Sequence, residues 1–384
     1  MRSNRTLVVT AMVTLLIAVW IPISCAQAAS LEEGVADVLA ELDLSVFQQA
    51  VEESGMFAQD AASLIKSLAG GASVMTGQEA LQWLAAKAAG LFSDSLWRMT
   101  RLLVPALISA VAEQLHLRRN LSGAAHYGGL LMTMGFLVAD LQAYVSLCQE
   151  SVAGMAGLMQ ALFPLLVTLL AAVGGTASSM FYQPAVMAAA GSMTALVQQA
   201  TMPLAAGVAV LTMVSGVTSQ LRVGKLRRLF RQAADWTLGL GFTVFIGVMT
   251  VQGLGAAAVD GVSIRTAKYA MDNFIPVVGG MFADTVDTLV GSSLLIQNAV
   301  GVLGLLLLFG RLMTPLLRTV AAMLLYRAVA AVLEPVSDSP LCTCISDYAD
   351  VFSLLFIIQL SVGAMFLLLV AQLVMVGQLT VMLR

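Results

Sequence analysis

Side chains that act as metal ligands or disulfide partners are scarce in this chain. Its 384 residues include only two histidines, His116 and His126, and four cysteines. Cys342 and Cys344 are one residue apart, a spacing that rarely reaches unstrained disulfide geometry, and no zinc-type spacing occurs. The scarcity predicts a protein with no metal site and no disulfide framework, in which Cys148, Cys342 and Cys344 are ordinary core and loop residues.

Sequence signatures of catalysis are missing as well. A serine hydrolase needs a nucleophile with a base within reach, but Ser192 lies in a predicted helix and no G-x-S-x-G elbow occurs. No G-x-x-x-x-G-K-[ST] loop is present either, which argues against nucleotide hydrolysis by that route. We predict that the chain is not an enzyme and carries no cofactor.

Charged residues are few, and long apolar runs take their place. Only 11% of the residues are charged and 59% are hydrophobic, with a mean hydropathy of +0.91, whereas soluble domains carry about 25% charged residues. The runs at 156–174, 237–258 and 351–372 approach or exceed the roughly 20 residues that a helix needs to cross a bilayer. The composition predicts an all-α, polytopic membrane protein.

The first 100 residues read differently from the rest. Arg2 and Arg5 precede an apolar stretch at 7–23 and an A-Q-A pattern at 26–28, which predicts a signal peptide over 1–28. An uncleaved first helix is the alternative. Residues 29–100 are acidic, and apolar residues recur there at helical spacing. We predict three or four short, exported amphipathic helices that lie on the membrane surface or pack against partners.

Nine membrane spans are predicted in the remainder. Helices 1–6 fall within 101–257 and helices 7–9 within 296–384, separated by a polar segment at 258–295 that we interpret as an extracytoplasmic amphipathic or re-entrant helix. Because residues 184–220 form either two spans or one broken helix, seven to nine spans remain open. The predicted spans are 101–117, 124–147, 153–174, 184–199, 203–220, 236–257, 296–310, 313–333 and 351–376.

A basic joint at 221–232, between two predicted spans, sets the predicted orientation. Short loops rich in Lys and Arg stay in the cytoplasm. This joint also suits contact with anionic lipid better than nucleic acid. With an exported N-terminus and nine spans, position 225 is expected to be cytoplasmic and positions 270 and 345 exported. The topology determinants are Arg222, Lys225, Arg227, Arg228 and Arg231.

A few charged residues fall inside the predicted spans. Asp140 is either a pore-lining or proton-relay residue, or an interfacial one, since acids inside membranes are costly and usually face the bundle interior. Arg311 and Arg318 share a helical face. Either they line a conduit or their charged ends reach the headgroup region. Arg327 is the hardest of the three to place at the headgroups and is expected either to line the conduit or to pair with Glu334 or an acid elsewhere.

Several apolar motifs point to one protein family. The most specific is N-F-I-P-V-V-G-G-M-F at 273–282, which continues through S-S-L-L at 292–295 to N-A-V-G at 298–301. A second is Q-A-L-F-P-L-L at 160–166, followed by Gly174 and Gly175. Over nearly its whole length the chain resembles the stage III sporulation protein AE family.

The resemblance implies a role and a place. Members are made in the mother cell and build a complex with other membrane proteins in the outer membrane around the engulfed forespore. The resemblance therefore implies a non-enzymatic, multi-pass subunit of a mother-cell-to-forespore channel or secretion complex. It supplies no catalytic residues. A homo-oligomer is open, and a stand-alone secondary transporter is the alternative, with Asp140 and Arg327 as its leading residues.

Overall fold

The structure, a computed structural model, describes residues 44–54, 57, 59–114, 119–217, 223–274, 279–336 and 340–382. Every regular element within them is a helix, which confirms the all-α prediction. The predicted signal peptide at 1–28, together with Arg222 and His116, lies outside the described residues. In chain order the helices are α1 (Ser45–Ser54), α2 (Ala61–Ala69), α3 (Gly77–Gln114), α4 (Arg119–Ala172), α5 (Thr176–Leu196), a π-helical turn (Val197–Thr201), α6 (Met202–Val217), α7 (Gly224–Phe274), α8 (Gly279–Leu333) and α9 (Pro340–Met382).

Six helical segments of the described chain are long and apolar enough to cross a membrane. Their bounds are Gly77–Ala112, Tyr127–Ala172, Ser178–Val217, Gly224–Gln252, Val290–Leu333 and Leu341–Met382. The described residues thus hold six candidate spans rather than the seven to nine predicted for the chain. The predicted spans 124–147 and 153–174 are one helix, α4, and the spans 296–310 and 313–333 are one helix, α8.

The nine-span prediction places turns at polar residues that the structure shows to be helical. Residues 148–152 and Arg311 interrupt the apolar runs, but neither position holds the glycine pair or proline that stops a helix. Gly174 and Gly175, by contrast, do end α4. Gly174 has φ 102°, a left-handed conformation that glycine adopts without steric cost, and the Gly175 N–H donates to the Leu170 carbonyl at 2.9 Å.

The predicted spans 184–199 and 203–220 are joined as well, through a π-helical turn. Pro203 has no N–H to donate to the preceding turn, and the backbone widens into π geometry at Val197–Thr201 just before it. Thr201 is buried there, and its hydroxyl donates to the Leu196 carbonyl at 3.4 Å. Within the described part of 184–220, residues 184–217 form one long helix with a local defect, which favours the second of the two alternatives.

Long helices that follow one another along the chain, such as α8 and α9, run in opposite directions. Asp140 contacts Tyr326 and Gly154 faces Arg311, so α4 and α8 run antiparallel. Leu137 contacts Tyr348 and Tyr144 contacts Phe352, so α4 and α9 run parallel. One end of the bundle, here named the basic end, therefore holds the starts of α7 and α9 together with the end of α8.

The basic end corrects the predicted orientation of position 345. Arg227 of α7 forms an ion pair with Asp347 of α9. Positions 225 and 345 therefore lie at the same end of the bundle rather than on opposite faces. The predicted segment at 258–295 is not a separate helix either, because 258–274 ends α7 and 279–295 begins α8.

The bundle has one continuous apolar core. Leu166, Leu170, Leu303 and Val370 are fully buried in it, and so are Phe47 of α1 and Ile65 of α2. The two short helices thus pack their apolar faces against the long ones. Residues 77–100 are not further short helices, since they form the first part of α3.

Candidate functional site

A cluster of four aromatic rings occupies the bundle interior near the basic end. It consists of Tyr144, Tyr326, Tyr348 and Phe352, named here the tyrosine cluster, and each ring is at most 7% exposed. The Tyr326 and Phe352 rings stack with centroids 4.9 Å apart, and Tyr144 meets Phe352 edge-on at the same distance. The cluster joins α4, α8 and α9, because each contributes at least one ring.

The tyrosine hydroxyls bind acceptors on α4. The Tyr326 hydroxyl donates to Asp140 Oδ2 at 2.6 Å, and the Tyr348 hydroxyl donates to the Leu137 carbonyl at 2.7 Å. A buried hydroxyl without a partner costs about 1–3 kcal/mol, so both bonds hold the cluster together. Asp140, a candidate pore residue in the sequence, is half-buried and engaged with Tyr326.

Arginines surround the outer side of the tyrosine cluster. The Arg98 guanidinium lies 5.9 Å from the Tyr144 ring centroid, and the Arg101 guanidinium lies 5.4 Å from that of Phe136. Arg318 of α8 also interacts electrostatically with Tyr144. These three side chains are exposed. The sequence singled out Arg318 but gave no signal for Arg98 and Arg101, whose role depends on the antiparallel pairing of α3 with α4.

A second group of charges closes the basic end. Besides the Arg227–Asp347 pair, Arg231 lies 3.5 Å from an Asp350 carboxylate oxygen and donates to the Asp350 carbonyl at 3.2 Å. Arg327 approaches the same carboxylate at 4.0 Å. Two of the predicted topology determinants and one candidate pore residue are therefore brought together with acids of α9.

The remaining predicted residues lie elsewhere. Lys225 and Arg228 are exposed on the first turns of α7, where Arg228 Nε donates to the Gly224 carbonyl at 3.4 Å. Arg311 lies against Gly154, whose missing side chain leaves room for the guanidinium: a Cβ there would be 2.6 Å from Arg311 Nε. Arg311 and Arg318 thus follow the surface of α4 rather than the α8–α9 contact.

A buried carboxylate caps α5 from a distant helix. Asp260 of α7 is fully buried, and its Oδ2 accepts a hydrogen bond from the Ser178 N–H at 2.9 Å. Ser178 belongs to the first turn of α5, where N–H groups lack intrahelical partners and a negative charge is favourable. The sequence gave no signal for this contact, because 82 residues separate the two positions.

Amide side chains occupy the contact between α8 and α9. Gln297 is fully buried and donates to the Leu373 carbonyl at 3.3 Å, and Thr319 donates to Gln359 Oε1 at 3.3 Å. Gln378 donates to Asn298 Oδ1 at 3.3 Å. Interhelical hydrogen bonds of this kind are typical of helices packed inside a membrane.

The cysteines take core positions in helices. Cys148 and Cys344 are buried, Cys342 is partly buried, and all three are free thiols. The Cys344 thiol donates to the Thr212 carbonyl at 3.3 Å. The predicted loop at 342–344 is wrong, since these residues form the first turns of α9.

Among the side chains that the structure describes, no three His, Cys, Asp or Glu residues are arranged to hold a metal ion.

Six long apolar helices, packed in alternating directions and joined by interhelical amide, hydroxyl and ion-pair contacts, define a polytopic α-helical membrane protein. The family described as Stage III sporulation protein AE matches residues 59–377. The chain belongs to that family, as the apolar motifs predicted.

A curated relative agrees with this assignment. Stage III sporulation protein AE of Bacillus subtilis (strain 168) is 35% identical over 240 residues, which cover 62% of this chain and 60% of that protein. The match thus spans about 60% of the length of the curated relative. No solved structure matches the chain.

Proposed function

We propose that the chain is a non-enzymatic integral membrane subunit of a mother-cell-to-forespore channel or secretion complex that endospore formation requires. The observation that carries the proposal is membership of the sporulation family over residues 59–377, on a helical membrane bundle. The partners would be other membrane proteins of the same complex. The location would be the mother-cell-derived outer forespore membrane, with the basic end in the mother-cell cytoplasm.

The packing of the bundle favours a subunit over a stand-alone pore. Leu303, Leu307 and Leu166 fill the space between α4, α8 and α9 and are at most 1% exposed. The side chain of Val374 fits against the backbone at Gly301. Because side chains fill this seam, a conduit would form between copies of the chain or with partner subunits.

Deletion followed by complementation tests the proposal. A strain without the gene should complete engulfment and then arrest, as followed by fluorescence microscopy, and the wild-type gene should restore spores. A tagged, functional copy should co-purify with other sporulation membrane proteins from mother-cell membranes. Normal spore yield in the deletion strain would contradict the proposal.

A stand-alone secondary transporter is the alternative, and Asp140 is the observation in its favour. A half-buried carboxylate inside a membrane bundle is a typical proton-relay or ion-coupling residue. Asp140→Asn keeps an acceptor for the Tyr326 hydroxyl but cannot carry a proton between two ionisation states. Full sporulation with Asp140→Asn, and no ion-coupled uptake by the purified chain in proteoliposomes, would favour the scaffold over the transporter.

A further inference from the structure

The exposed face of α7 has the composition of a surface that lipid contacts. Each turn of it carries a large apolar side chain, and these side chains span about 23 Å, most of the roughly 30 Å hydrocarbon thickness of a bilayer. An amide or carboxylate without a partner is costly in hydrocarbon, so an apolar face is the one expected toward lipid. The side chains, each at least 43% exposed, are those of Trp236, Leu240, Val244, Val248 and Val251.

The middle of α4 lies at the same depth as this part of α7. At one level, the Arg231–Asp350 contact and the ring contact of Tyr144 lie within one turn of each other on α9. At the other, Asp260 of α7 caps α5 just after α4 ends. The lengths of α7 and α4 between these two levels agree to within one turn, so the apolar face of α7 lies at the depth of roughly residues 147–162 of α4.

The exposed face of α4 at that depth is polar instead. In the described part of α4, no exposed large apolar side chain follows Val138. Three amides pointing into hydrocarbon would lack hydrogen-bond partners, so protein or water covers this face rather than lipid. Amides and small residues share the face at helical spacing, and all except the half-buried Ser146 are exposed. This set, named here the α4 face, is Gln142, Ser146, Gln149, Ala153, Gly157 and Gln160.

The chemistry of the α4 face suits a second copy of the chain. Two copies inserted in the same orientation are related by an axis along the membrane normal, so their α4 helices pair in parallel with each residue opposite itself. An amide is both donor and acceptor, so Gln149 and Gln160 can each bond their own counterpart across the axis. Ala153 and Gly157 are small enough to let the two backbones approach.

The carboxylate that α4 carries at this depth lies at the edge of the α4 face. Glu150 is exposed one turn before Gly154, the residue against which Arg311 of α8 packs. Residues four apart share a side of a helix, so Glu150 is turned from the α4 face toward α8. The two Glu150 carboxylates of a symmetric pair would therefore lie on opposite sides of the contact and would not repel each other across it.

We propose that two copies of the chain pair through the α4 face, in parallel and around a two-fold axis along the membrane normal. The pairing requires that the bundle spans a membrane but does not require the sporulation role, so each can fail without the other. A helix of another protein or a water-filled conduit would also keep lipid from the amides. The self-complementary amides favour the second copy, and cross-linking separates the three.

Cysteine cross-linking in native membranes tests the pairing, with serine at the native cysteines of each variant. Ala153→Cys places a thiol in the α4 face, and Val244→Cys places one on the apolar face of α7 at a similar depth. Copper phenanthroline should link Ala153→Cys to itself as a dimer and leave Val244→Cys monomeric. Equal dimer yields would indicate random collision and overturn the proposal. Linkage of Ala153→Cys to a different protein, or its labelling by a membrane-impermeant maleimide, would overturn it in favour of a partner helix or an aqueous conduit.

Dimer affinity in proteoliposomes tests what holds the pair together. Energy transfer between donor- and acceptor-labelled copies, followed as lipid dilutes the protein, measures it, and circular dichroism checks that each variant keeps its helices. Gly157→Leu puts a bulky side chain in the α4 face and should weaken the dimer at least about tenfold. Gly247→Leu on α7 is the matched control and should change nothing, since a Cβ at either glycine meets no atom within 4 Å.

A second variant tests the amides without adding bulk beside the backbone. The double variant Gln149→Leu, Gln160→Leu removes both reciprocal hydrogen bonds and should also weaken the dimer, even if Gly157→Leu does not fold. Energy transfer that neither variant lowers would overturn the proposal. Equal losses in Gly157→Leu and Gly247→Leu would also overturn it, because the contact would then not depend on the α4 face.

Discussion

Asp140 has a structural partner that the sequence could not supply. A single acid in an apolar run is open to a relay role or an interfacial one. The short bond to the Tyr326 hydroxyl ties the carboxylate to α8, 186 positions along the chain. The charge of Asp140 thus helps to join two helices, and this contact is measurable without any assumption about function.

A double-mutant cycle on Asp140 and Tyr326 measures that contact. Tyr326→Phe removes the hydroxyl and should lower the free energy of unfolding by about 1–2 kcal/mol. Asp140→Ala should cost a similar amount, and the double variant should cost less than the sum of the two. Thermal unfolding in detergent, followed by circular dichroism, gives the values. Strictly additive losses would mean that the hydroxyl and the carboxylate do not stabilise the fold through each other.

Asp260 makes a comparable contact at the start of a helix. Its carboxylate accepts the Ser178 N–H at the first turn of α5. Asp260→Ala should lower the free energy of unfolding by about 1–2 kcal/mol, because it removes both the acceptor and the favourable charge. Asp260→Asn keeps an acceptor and should lose less, as thermal unfolding in detergent would record. Equal losses for the two variants would contradict a capping role.

At the scale of the elements, glycines determine how closely α8 and α9 approach. A Cβ on Gly301 would overlap the Val374 side chain, and a Cβ on Gly363 would overlap Leu312. Val374 is β-branched and has little rotamer freedom in a helix. Small residues that let two backbones approach are typical of membrane helix pairs, so the seam between α8 and α9 depends on these positions.

Alanine at Gly301 tests the close contact. Gly301→Ala forces Val374 or the backbone to shift and should lower the free energy of unfolding by about 1–3 kcal/mol. Gly239→Ala in α7 is the matched control, since a Cβ there meets no atom within 4 Å. The control should be neutral or more stable by about 0.5–1 kcal/mol, because alanine favours the helix. Thermal unfolding of both variants decides, and equal effects would argue against a seam set by Gly301.

Helix type was predictable from the sequence, whereas helix joints were predictable only in part. The apolar composition required helices in lipid, and the Gly174–Gly175 pair marked the true end of α4. The polar residues at 148–152 resemble a loop in composition, yet they continue a helix because nothing there disrupts backbone hydrogen bonding. Whether a polar stretch continues a helix or forms a joint depends on what its residues pack against. Cys148, for example, is buried in the core, and only the packed bundle shows this.

The tyrosine cluster could not be predicted for a related reason. Tyr144, Tyr326 and Tyr348 lie on three helices, and their proximity follows from the register of the α4–α8 and α4–α9 pairs. No periodicity within one helix encodes that register.

At the scale of the whole molecule, the bundle is longer than a bilayer is thick. α4 has 54 residues and α8 has 55, so each is about 80 Å long, against a hydrocarbon core of about 30 Å. Several charged side chains lie toward the basic end and far from the other end of these helices: Arg98, Asp140, Arg318 and Asp350. Part of the bundle, at the basic end or at the other, therefore extends beyond the hydrocarbon layer.

The merging of spans changes the predicted sidedness of specific positions. In the nine-span interpretation, the joints near 176 and 225 face one side and position 346 faces the other. In the six-helix bundle, the Arg227–Asp347 pair brings 225 and 346 to the same end. The joint at 173–175 follows the opposite end of α4. Two positions therefore distinguish the two topologies.

Cysteine labelling at three exposed sites would decide between them. In a background with serine at the native cysteines, Lys225→Cys and Ser346→Cys should react with a membrane-impermeant maleimide only from the cytoplasmic side. Thr176→Cys should react only from the other side, and all three side chains are exposed enough to react. Labelling of 346 from the side opposite to 225 would require α9 to begin at the far end of the bundle. The Arg227–Asp347 and Arg231–Asp350 contacts would then be impossible, so that single result would contradict the arrangement of α7 and α9.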